Sequence, residues 1–114
     1  MQVWNNTAYV EPEIRERWGG FEVKGCYKGE GGVLKGWGFK DANMTVGDCV
    51  EGCKGRKETW RLAGLQDGVD CVCGAKLETG AEDVGREECA VRCAGDGREV
   101  CGGKGTVLVY QRGV

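Results

Sequence analysis

The feature of this 114-residue sequence that most constrains its fold is the spacing of its eight cysteines. Cys49 and Cys53 are separated by three residues, so one turn of helix would place both sulfurs on the same face, and a later pair has the same spacing. Cys71 and Cys73 are separated by one residue, and a strand would also place both sulfurs on one face. We therefore predict a helix that is bridged twice to a neighbouring strand.

The composition favours disulfides over a bound metal. The cysteine count is even and the sequence contains no histidine, whereas zinc sites commonly recruit histidine and use cysteines two residues apart. The 22 glycines lose much conformational freedom on folding, and each disulfide typically offsets about 2–4 kcal/mol of that cost. We predict no cofactor and no metal site. Because disulfides persist in oxidising compartments, we expect a secreted or extracellular protein, including one held in a cell wall.

The charge and hydropathy patterns exclude two classes of partner. A net charge of −2 argues against the extended basic surface that nucleic acid or anionic lipid requires. Apolar runs such as Val107–Tyr110 are too short to cross a membrane, so we predict no membrane insertion. A local basic cluster, comprising Lys54, Arg56, Lys57 and Arg61, suits the end of a helix, where cations interact favourably with the helix dipole.

Residue periodicity predicts one main helix and several strands. Thr45-Val46-Gly47-Asp48 matches the capping pattern of a helix start, and the apolar positions that follow share one face as far as about residue 56. Asp67-Gly68 is a strong hairpin-turn signal between two short apolar segments. The predicted strands are 21–27, 61–66, 69–73 and 106–112. We predict a second, two-turn helix over 86–93 and loops over 28–43 and 74–85.

An ordered set of motifs accompanies the cysteines. These are Gly25-Cys26-Tyr27, Leu34, Met44-Thr45, Cys49, Cys53, Ala63-Gly64-Leu65-Gln66, Asp70-Cys71-Val72-Cys73-Gly74, Cys89, Cys93-Ala94-Gly95-Asp96, Cys101-Gly102-Gly103 and Tyr110. The set resembles the WSC domain, a cysteine-rich extracellular module of fungal wall sensors, fungal secreted enzymes and some animal receptors. The resemblance implies a small, disulfide-rich α+β fold similar to PAN or apple domains, with an antiparallel sheet wrapped around one main helix. We interpret residues 1–20 as an N-terminal arm or linker and residues 21–112 as the domain.

The resemblance also implies how the eight cysteines pair. It suggests the four bridges Cys26–Cys89, Cys49–Cys71, Cys53–Cys73 and Cys93–Cys101. Two sulfurs on one helix face and two on one strand face independently favour joining the helix pair to the strand pair. These faces fit the parallel arrangement and the crossed one, Cys49–Cys73 with Cys53–Cys71, equally well, and both stay open.

The function that the resemblance implies is non-catalytic binding of a cell-wall polysaccharide such as a β-glucan or a xylan. Aromatic rings stack against the C–H faces of sugars, and neighbouring amides and carboxylates bind hydroxyl groups. The candidate ligand-binding residues are Trp37, Trp60, Tyr27, Phe39, Gln66, Asp67 and Asp70. Packing in a small core is the competing interpretation for the aromatic residues. Family members often carry an aromatic residue where this chain has Val72, and an aromatic or asparagine at the position of Asp67. These differences keep an alternative open, an extracellular protein–protein interaction module of a receptor or sensor ectodomain.

Two further patterns bear on chemistry. Glu87-Glu88 and Glu82-Asp83 could suggest the carboxylate pair of a glycosidase, but adjacent acids point apart on a helix and a small domain offers no deep cleft, so we predict no enzymatic activity.

Sequons at Asn5 and Asn43 predict N-glycosylation, although the second shares its threonine with the helix cap. Such a module can act alone or as part of a larger secreted or cell-surface protein.

Overall fold

The computed structural model describes residues 11–57 and 59–113, so the predicted glycosylation site at Asn5 lies outside the described residues. These residues form one α-helix, α1 (Val46–Arg56), and a short 3₁₀ turn (Arg86–Glu88). They also form nine strands: β1 (Arg17–Trp18), β2 (Phe21–Lys28), β3 (Gly38–Lys40), β4 (Leu62–Gln66), β5 (Asp70–Gly74), β6 (Glu82–Asp83), β7 (Arg92–Cys93), β8 (Asp96–Val100) and β9 (Val107–Arg112).

Seven of these strands make one antiparallel sheet, in the order β1-β2-β9-β4-β5-β3, with β6 paired to β2. The remaining two, β7 and β8, form a separate hairpin. Strand β9 comes last along the chain but lies in the interior of the sheet, between β2 and β4. This position explains the four consecutive buried residues Val107–Tyr110, because both faces of β9 are covered. The predicted α+β class with one helix and an antiparallel sheet is confirmed.

The helix α1 covers one face of the sheet, which we call the helix-covered face. As predicted, the Thr45 hydroxyl caps the helix by accepting a hydrogen bond from the Asp48 amide at 3.0 Å. The buried helix residues Val46 and Val50 pack against Leu65 and Tyr110 of the sheet within one cluster. Burial of these apolar side chains and the cross-links from the helix stabilise an element whose glycines weaken it.

Four disulfides join the elements: Cys26–Cys89, Cys49–Cys71, Cys53–Cys73 and Cys93–Cys101. These are the pairs that the resemblance implied, and the choice that the shared faces left open is resolved in favour of the uncrossed arrangement. Two bridges tie α1 to β5, one ties β2 to the segment after the 3₁₀ turn, and one closes the end of the β7–β8 hairpin. Since all the sulfurs are buried and bonded to one another, each bridge also contributes to the core.

The opposite face of the sheet, which we call the loop-covered face, carries a second and smaller core without a disulfide. Side chains from the sheet meet Val33, Leu34 and Leu77 from the two long loops. Leu34 lies close to the backbone at two glycines: a Cβ on Gly64 or on Gly74 would come within 3.1 Å of its methyl groups. The glycines therefore allow the loop to pack closely on the sheet, and packing alone stabilises this face.

Three predictions of secondary structure were wrong. The segment 28–43 is not all loop, because residues 38–40 form β3 at the edge of the sheet, and the segment 74–85 includes β6. The predicted helix over 86–93 is reduced to the 3₁₀ turn. The reason is that Cys89 and Cys93 bond to different partners and have no need to share a helical face, while residues 92–93 begin a hairpin.

The sequence left open whether the N-terminal segment packs on the domain. The structure shows how residues 11–20 of this segment are placed. The Tyr110 hydroxyl donates a hydrogen bond to the Arg15 carbonyl, and burial raises the pKa of that phenol. Glu16 pairs with Arg86 at 2.7 Å, and the Trp18 ring packs on Gly47 of the helix. This part of the chain is therefore packed against the domain.

Candidate functional site

Three of the predicted ligand-binding aromatic residues, Trp37, Phe39 and Trp60, lie partly exposed at the rim of the helix-covered face. We call this group the aromatic edge. The rings of Trp37 and Phe39 are stacked, with centroids 5.2 Å apart and planes inclined by 29°. Phe39 is paired with Cys71 in the register of β3 and β5, and strand alternation directs both toward the helix. The position of β3 at the edge of the sheet keeps this stack at the surface.

Two glycines bring the rings of the aromatic edge against backbone. A Cβ on Gly52, in the middle of α1, would lie 2.7 Å from the Phe39 ring, and one on Gly36 would lie 2.8 Å from the Trp60 ring. Such contacts are shorter than van der Waals distance, so both rings lie against main chain at positions where any side chain larger than that of glycine would clash. Gly52, which weakens the helix by its propensity, therefore serves to seat Phe39.

Cations from the end of the helix lie over both tryptophans. The Arg56 guanidinium is 4.3 Å from the Trp37 ring centroid, and the Lys57 ammonium is 4.9 Å from that of Trp60. Contacts of this kind are worth about 0.5–1 kcal/mol at exposed sites. Because both cations are exposed, a sugar could replace or share their positions over the rings at little energetic cost. The basic cluster that the sequence analysis assigned to the helix dipole thus also borders the candidate site.

The polar candidates are not brought together with the aromatic edge. Gln66 and Asp70 face each other across the β4–β5 pair, and alternation from Cys71 places them on the loop-covered face. Asp70 forms an ion pair with Lys40 at 2.9 Å. Asp67 is exposed at the hairpin turn with φ of 55°, followed by Gly68 with φ of 80°, so its position is set by the turn.

Two other predicted residues also lie apart from the aromatic edge. Tyr27 is 9% exposed and belongs to the core of the loop-covered face, and burial, followed by the charge of Asp83, raises its pKa. Asn43 is exposed directly before the helix, with its backbone amide bonded to the Asp41 carboxylate at 2.9 Å. The hydroxyl of Thr45, the last residue of this sequon, is occupied as the helix cap.

An acidic groove at the start of α1 was missed by the sequence analysis. Its volume is about 710 Å³, and its lining includes Trp18, Asp41, Asp48, Glu51, Asp96 and Glu99. Asp48 has a buried carboxylate oxygen without a hydrogen-bond donor. The neighbouring Asp41 carboxylate, followed by burial, raises the pKa of Asp48 to about 6. The Asp48 carboxyl, followed by the Asn43 amide, lowers the pKa of Asp41. Acids at a helix start are a local signal, but Glu99 comes from β8 and no pattern in the sequence predicted its position.

No helix among residues 11–57 and 59–113 is long and apolar enough to span a membrane. The family model of the WSC domain matches residues 23–103. The chain is 35% identical over 94 residues to "Putative fungistatic metabolite" of Chaetomium globosum and 32% identical over 94 residues to "Xylosyltransferase oxt" of Drosophila pseudoobscura pseudoobscura. It is 29% identical over 89 residues to "Kremen protein 1" of Mus musculus.

These matches cover 79%, 79% and 75% of this chain but only 41%, 10% and 18% of the three relatives, so the chain spans less than half the length of each. What is shared is the domain alone. WSC domains are extracellular carbohydrate-binding modules that are not themselves catalytic. Since the family model covers well over half of the residues, the chain belongs to the WSC domain family.

Proposed function

We propose that this chain is a secreted or cell-wall carbohydrate-binding module that holds a β-glucan or xylan-like polysaccharide on the aromatic edge. One observation carries the proposal: the stacked pair Trp37 and Phe39 lies beside Trp60 on an open rim, with exposed cations over the indoles. Flat, partly exposed rings suit the C–H faces of pyranose or xylose units. The shallow surface suits a polymer better than a small molecule.

The chemistry at the aromatic edge combines stacking with hydrogen bonding. A sugar ring that lies on Trp37 meets the Arg56 guanidinium, whose N–H groups donate to ring or hydroxyl oxygens. Lys57 supplies the same kind of donor beside Trp60. Binding of a single site is weak under these conditions, so useful affinity comes from several contacts along one polymer or from several copies of the domain.

The polar candidates have a secondary part in this proposal. Gln66 and Asp70 meet a polymer only where it passes around the edge strand β3 onto the loop-covered face, near the ion pair with Lys40. Asp67 lies at the turn between β4 and β5, and Tyr27 is buried in the core of the loop-covered face. We expect substitutions at these four candidates to affect affinity less than substitutions at the tryptophans.

The alternative function, a protein–protein interaction module, is less well supported by the aromatic edge. A protein partner of that kind favours a wide, continuous apolar patch. Here Arg56 and Lys57 interrupt the apolar surface by covering the tryptophan rings. The arrangement is closer to that needed by a narrow polymer that alternates apolar faces and hydroxyl groups.

The test is co-sedimentation with insoluble β-1,3-glucan and with xylan, followed by competition with soluble oligosaccharides. We expect Trp37→Ala combined with Trp60→Ala to weaken binding at least tenfold. Trp18→Ala is the matched control, because its ring packs on Gly47 in the acidic groove and away from the aromatic edge. Full binding by a folded Trp37→Ala, Trp60→Ala variant, with its fold checked by circular dichroism, would contradict the proposed site.

A further inference from the structure

We infer that a basic groove at one end of the sheet binds the carboxylate or sulfate groups of an acidic polysaccharide, an inference that rests on the proposed carbohydrate function. The groove has a volume of about 330 Å³ and is lined by the cations Lys24, Arg61, Lys76 and Arg112, with Gln111 and Leu62 between them. It lies at the end of the sheet where β4 begins and β5 and β9 end.

The fold brings these four cations together from four separate elements. Lys24 belongs to β2, Arg61 precedes β4, Lys76 follows β5, and Arg112 ends β9. The Arg112 amide donates to the Arg61 carbonyl at 2.8 Å, which fixes the two arginines side by side. Lys24 reaches across the sheet to the Gln111 side-chain oxygen at 3.4 Å. The concentration of positive charge is thus a product of the tertiary structure and not of a basic run in the sequence.

The cations of this groove are not neutralised by acids within the part of the chain that the structure describes. The lining contains no carboxylate, and none of the four cations takes part in the ion pairs found among these residues. Glu22, which is paired in register with Gln111, borders the groove without an ion pair. The Arg112 guanidinium lies over the Phe21 ring, 5.4 Å from its centroid, and keeps its charge there. In a chain of net charge −2, positive charge collected in one groove without a paired acid favours an anionic ligand.

The remaining groups of the groove suit a sugar that carries an acid. Two arginines can each bind a carboxylate or sulfate through two parallel N–H···O bonds, and the lysines add point charges. The Gln111 amide can bind a hydroxyl group, while Leu62 and Leu77 offer an apolar floor for C–H groups. The volume is at the small end of ligand pockets, which suits one substituted sugar unit of a polymer.

The groove also lies next to the aromatic edge along the chain. Trp60 directly precedes Arg61, and Trp60 packs on Gly36 beside the Cys73 carbonyl, three residues before Lys76. A polymer stacked on Trp60 can therefore extend its acidic substituent toward Arg61 and Lys76. Because the groove and the aromatic edge adjoin each other, one polymer can occupy both.

The test compares glucuronoxylan with the same polymer after its carboxyl groups are reduced to alcohols. We expect at least tenfold tighter binding to the acidic form at about 50 mM salt, and a loss of that advantage at about 200 mM salt, because ionic contacts are screened. Chondroitin sulfate and its desulfated form, which keeps the carboxylates, make a second arm that shows whether sulfate or carboxylate is bound. Stronger binding to phosphatidylserine vesicles than to either acidic polymer would overturn the inference.

Two double variants, each of which removes two positive charges, test whether the acidic polymer binds in the groove. Lys24→Gln with Lys76→Gln should weaken binding to the acidic polymer at least fivefold, whereas Lys28→Gln with Lys104→Gln, both exposed and outside the groove, should change it less than twofold. An equal loss of affinity in the two variants would show that binding depends only on net charge, and it would overturn the inference.

Failure of this inference and failure of the proposed function give different results. If the reduced polymer binds as tightly as the acidic one, and both depend on Trp37 and Trp60, the basic groove is excluded and the carbohydrate function stands. If binding of the acidic polymer survives loss of both tryptophans but not the substitution of Lys24 and Lys76, the groove stands and the aromatic edge is excluded. Binding of no polysaccharide in either arm would overturn both.

Discussion

The two faces of the sheet are stabilised in different ways. On the helix-covered face, two disulfides tie α1 to β5, and on the loop-covered face, apolar side chains of two loops pack on the sheet without a covalent link. The helix has 11 residues and three of them are glycines, so its intrinsic stability is low. The loop-covered face needs no bridge because Leu34 packs closely on Gly64 and Gly74. The comparison indicates that the cross-links compensate for a weak helix.

The molecule also presents two different surfaces to a ligand. The rim of the helix-covered face presents aromatic rings seated on Gly52 and Gly36, beside the covalently tied helix. One end of the sheet presents the basic groove, whose cations lie at strand ends and on a loop. Stacking depends on the precise position of a ring, whereas charge attraction acts over several ångströms and tolerates movement. The aromatic edge therefore suits recognition by shape, and the basic groove suits recognition by charge.

The largest effect should come from removing both bridges on the helix-covered face. Replacing Cys49, Cys53, Cys71 and Cys73 by alanine opens loops of sequence separation 22 and 20, and we expect the free energy of unfolding to fall by about 4 kcal/mol in urea titrations. Cys93→Ala with Cys101→Ala is the control, since its separation is 8 and it should cost roughly 1 kcal/mol less. A loss below about 1 kcal/mol for the first variant would mean that packing alone holds the helix.

On the loop-covered face, Leu34→Ala should lower the free energy of unfolding by about 2 kcal/mol. This value lies at the low end for buried leucines because the loop can move to fill the space. Hydrogen exchange should show loss of protection in the loop after β2 while the amides of α1 remain protected. If both regions lose protection to the same extent, the two faces unfold as a single unit and the contrast between them fails.

Two glycines of α1, Gly52 and Gly55, allow the effect of displacing Phe39 to be measured separately from the effect of helix propensity. Gly52→Ala forces Phe39 away from its seat, and we expect a net loss of about 1 kcal/mol together with weaker polysaccharide binding. A Cβ on Gly55 would meet nothing within 4 Å. We therefore expect Gly55→Ala to stabilise the protein by about 0.5 kcal/mol and to leave polysaccharide binding unchanged. Thermal melts and co-sedimentation measure both effects. Stabilisation by both variants would show that Phe39 is free to move.

The last effect appears only as the pH changes and concerns the acidic groove at the start of α1. Because the pKa of Asp48 is raised to about 6, its proton stabilises the folded state fully below the unfolded pKa near 4, and this contribution is lost as the pH rises through 6. Relative to Asp48→Asn, the native protein should therefore lose on the order of 1 kcal/mol between pH 4 and pH 7. Carboxyl ¹³C shifts should show Asp48 titrating near pH 6, and Asp41→Asn should return it to the ordinary range.

Asp96 makes the matched control for this pH effect. Hydrogen bonds from Arg98 lower the pKa of Asp96, so its contribution has the opposite sign and is lost as the pH falls through its folded pKa. Asp96→Asn should leave the behaviour near pH 6 unchanged. A change near pH 6 in this variant would show that the titration there does not belong to the pair of Asp41 and Asp48.

Part of this protein is determined by local features of the sequence. The cap at Thr45, the turn at Asp67-Gly68 and the strand periodicity of residues 21–27 act between residues a few positions apart, and the structure has the helix, hairpin and strand they predict. The even set of cysteines likewise predicts four bridges, and the resemblance to the WSC domain identifies their partners. These features follow from the sequence because neighbouring residues specify them whatever the rest of the chain does.

Other features were decided only when distant residues met. The uncrossed bridges from Cys49 and Cys53 depend on how the helix lies on β5, and β9 takes an interior place although it is last along the chain. Register places Gln66 and Asp70 on the face away from Trp37, which periodicity within one segment cannot show. The basic groove likewise draws its cations from four elements. The physical reason is that strand order and register are set by the free energy of the whole packed core, to which every element contributes at once.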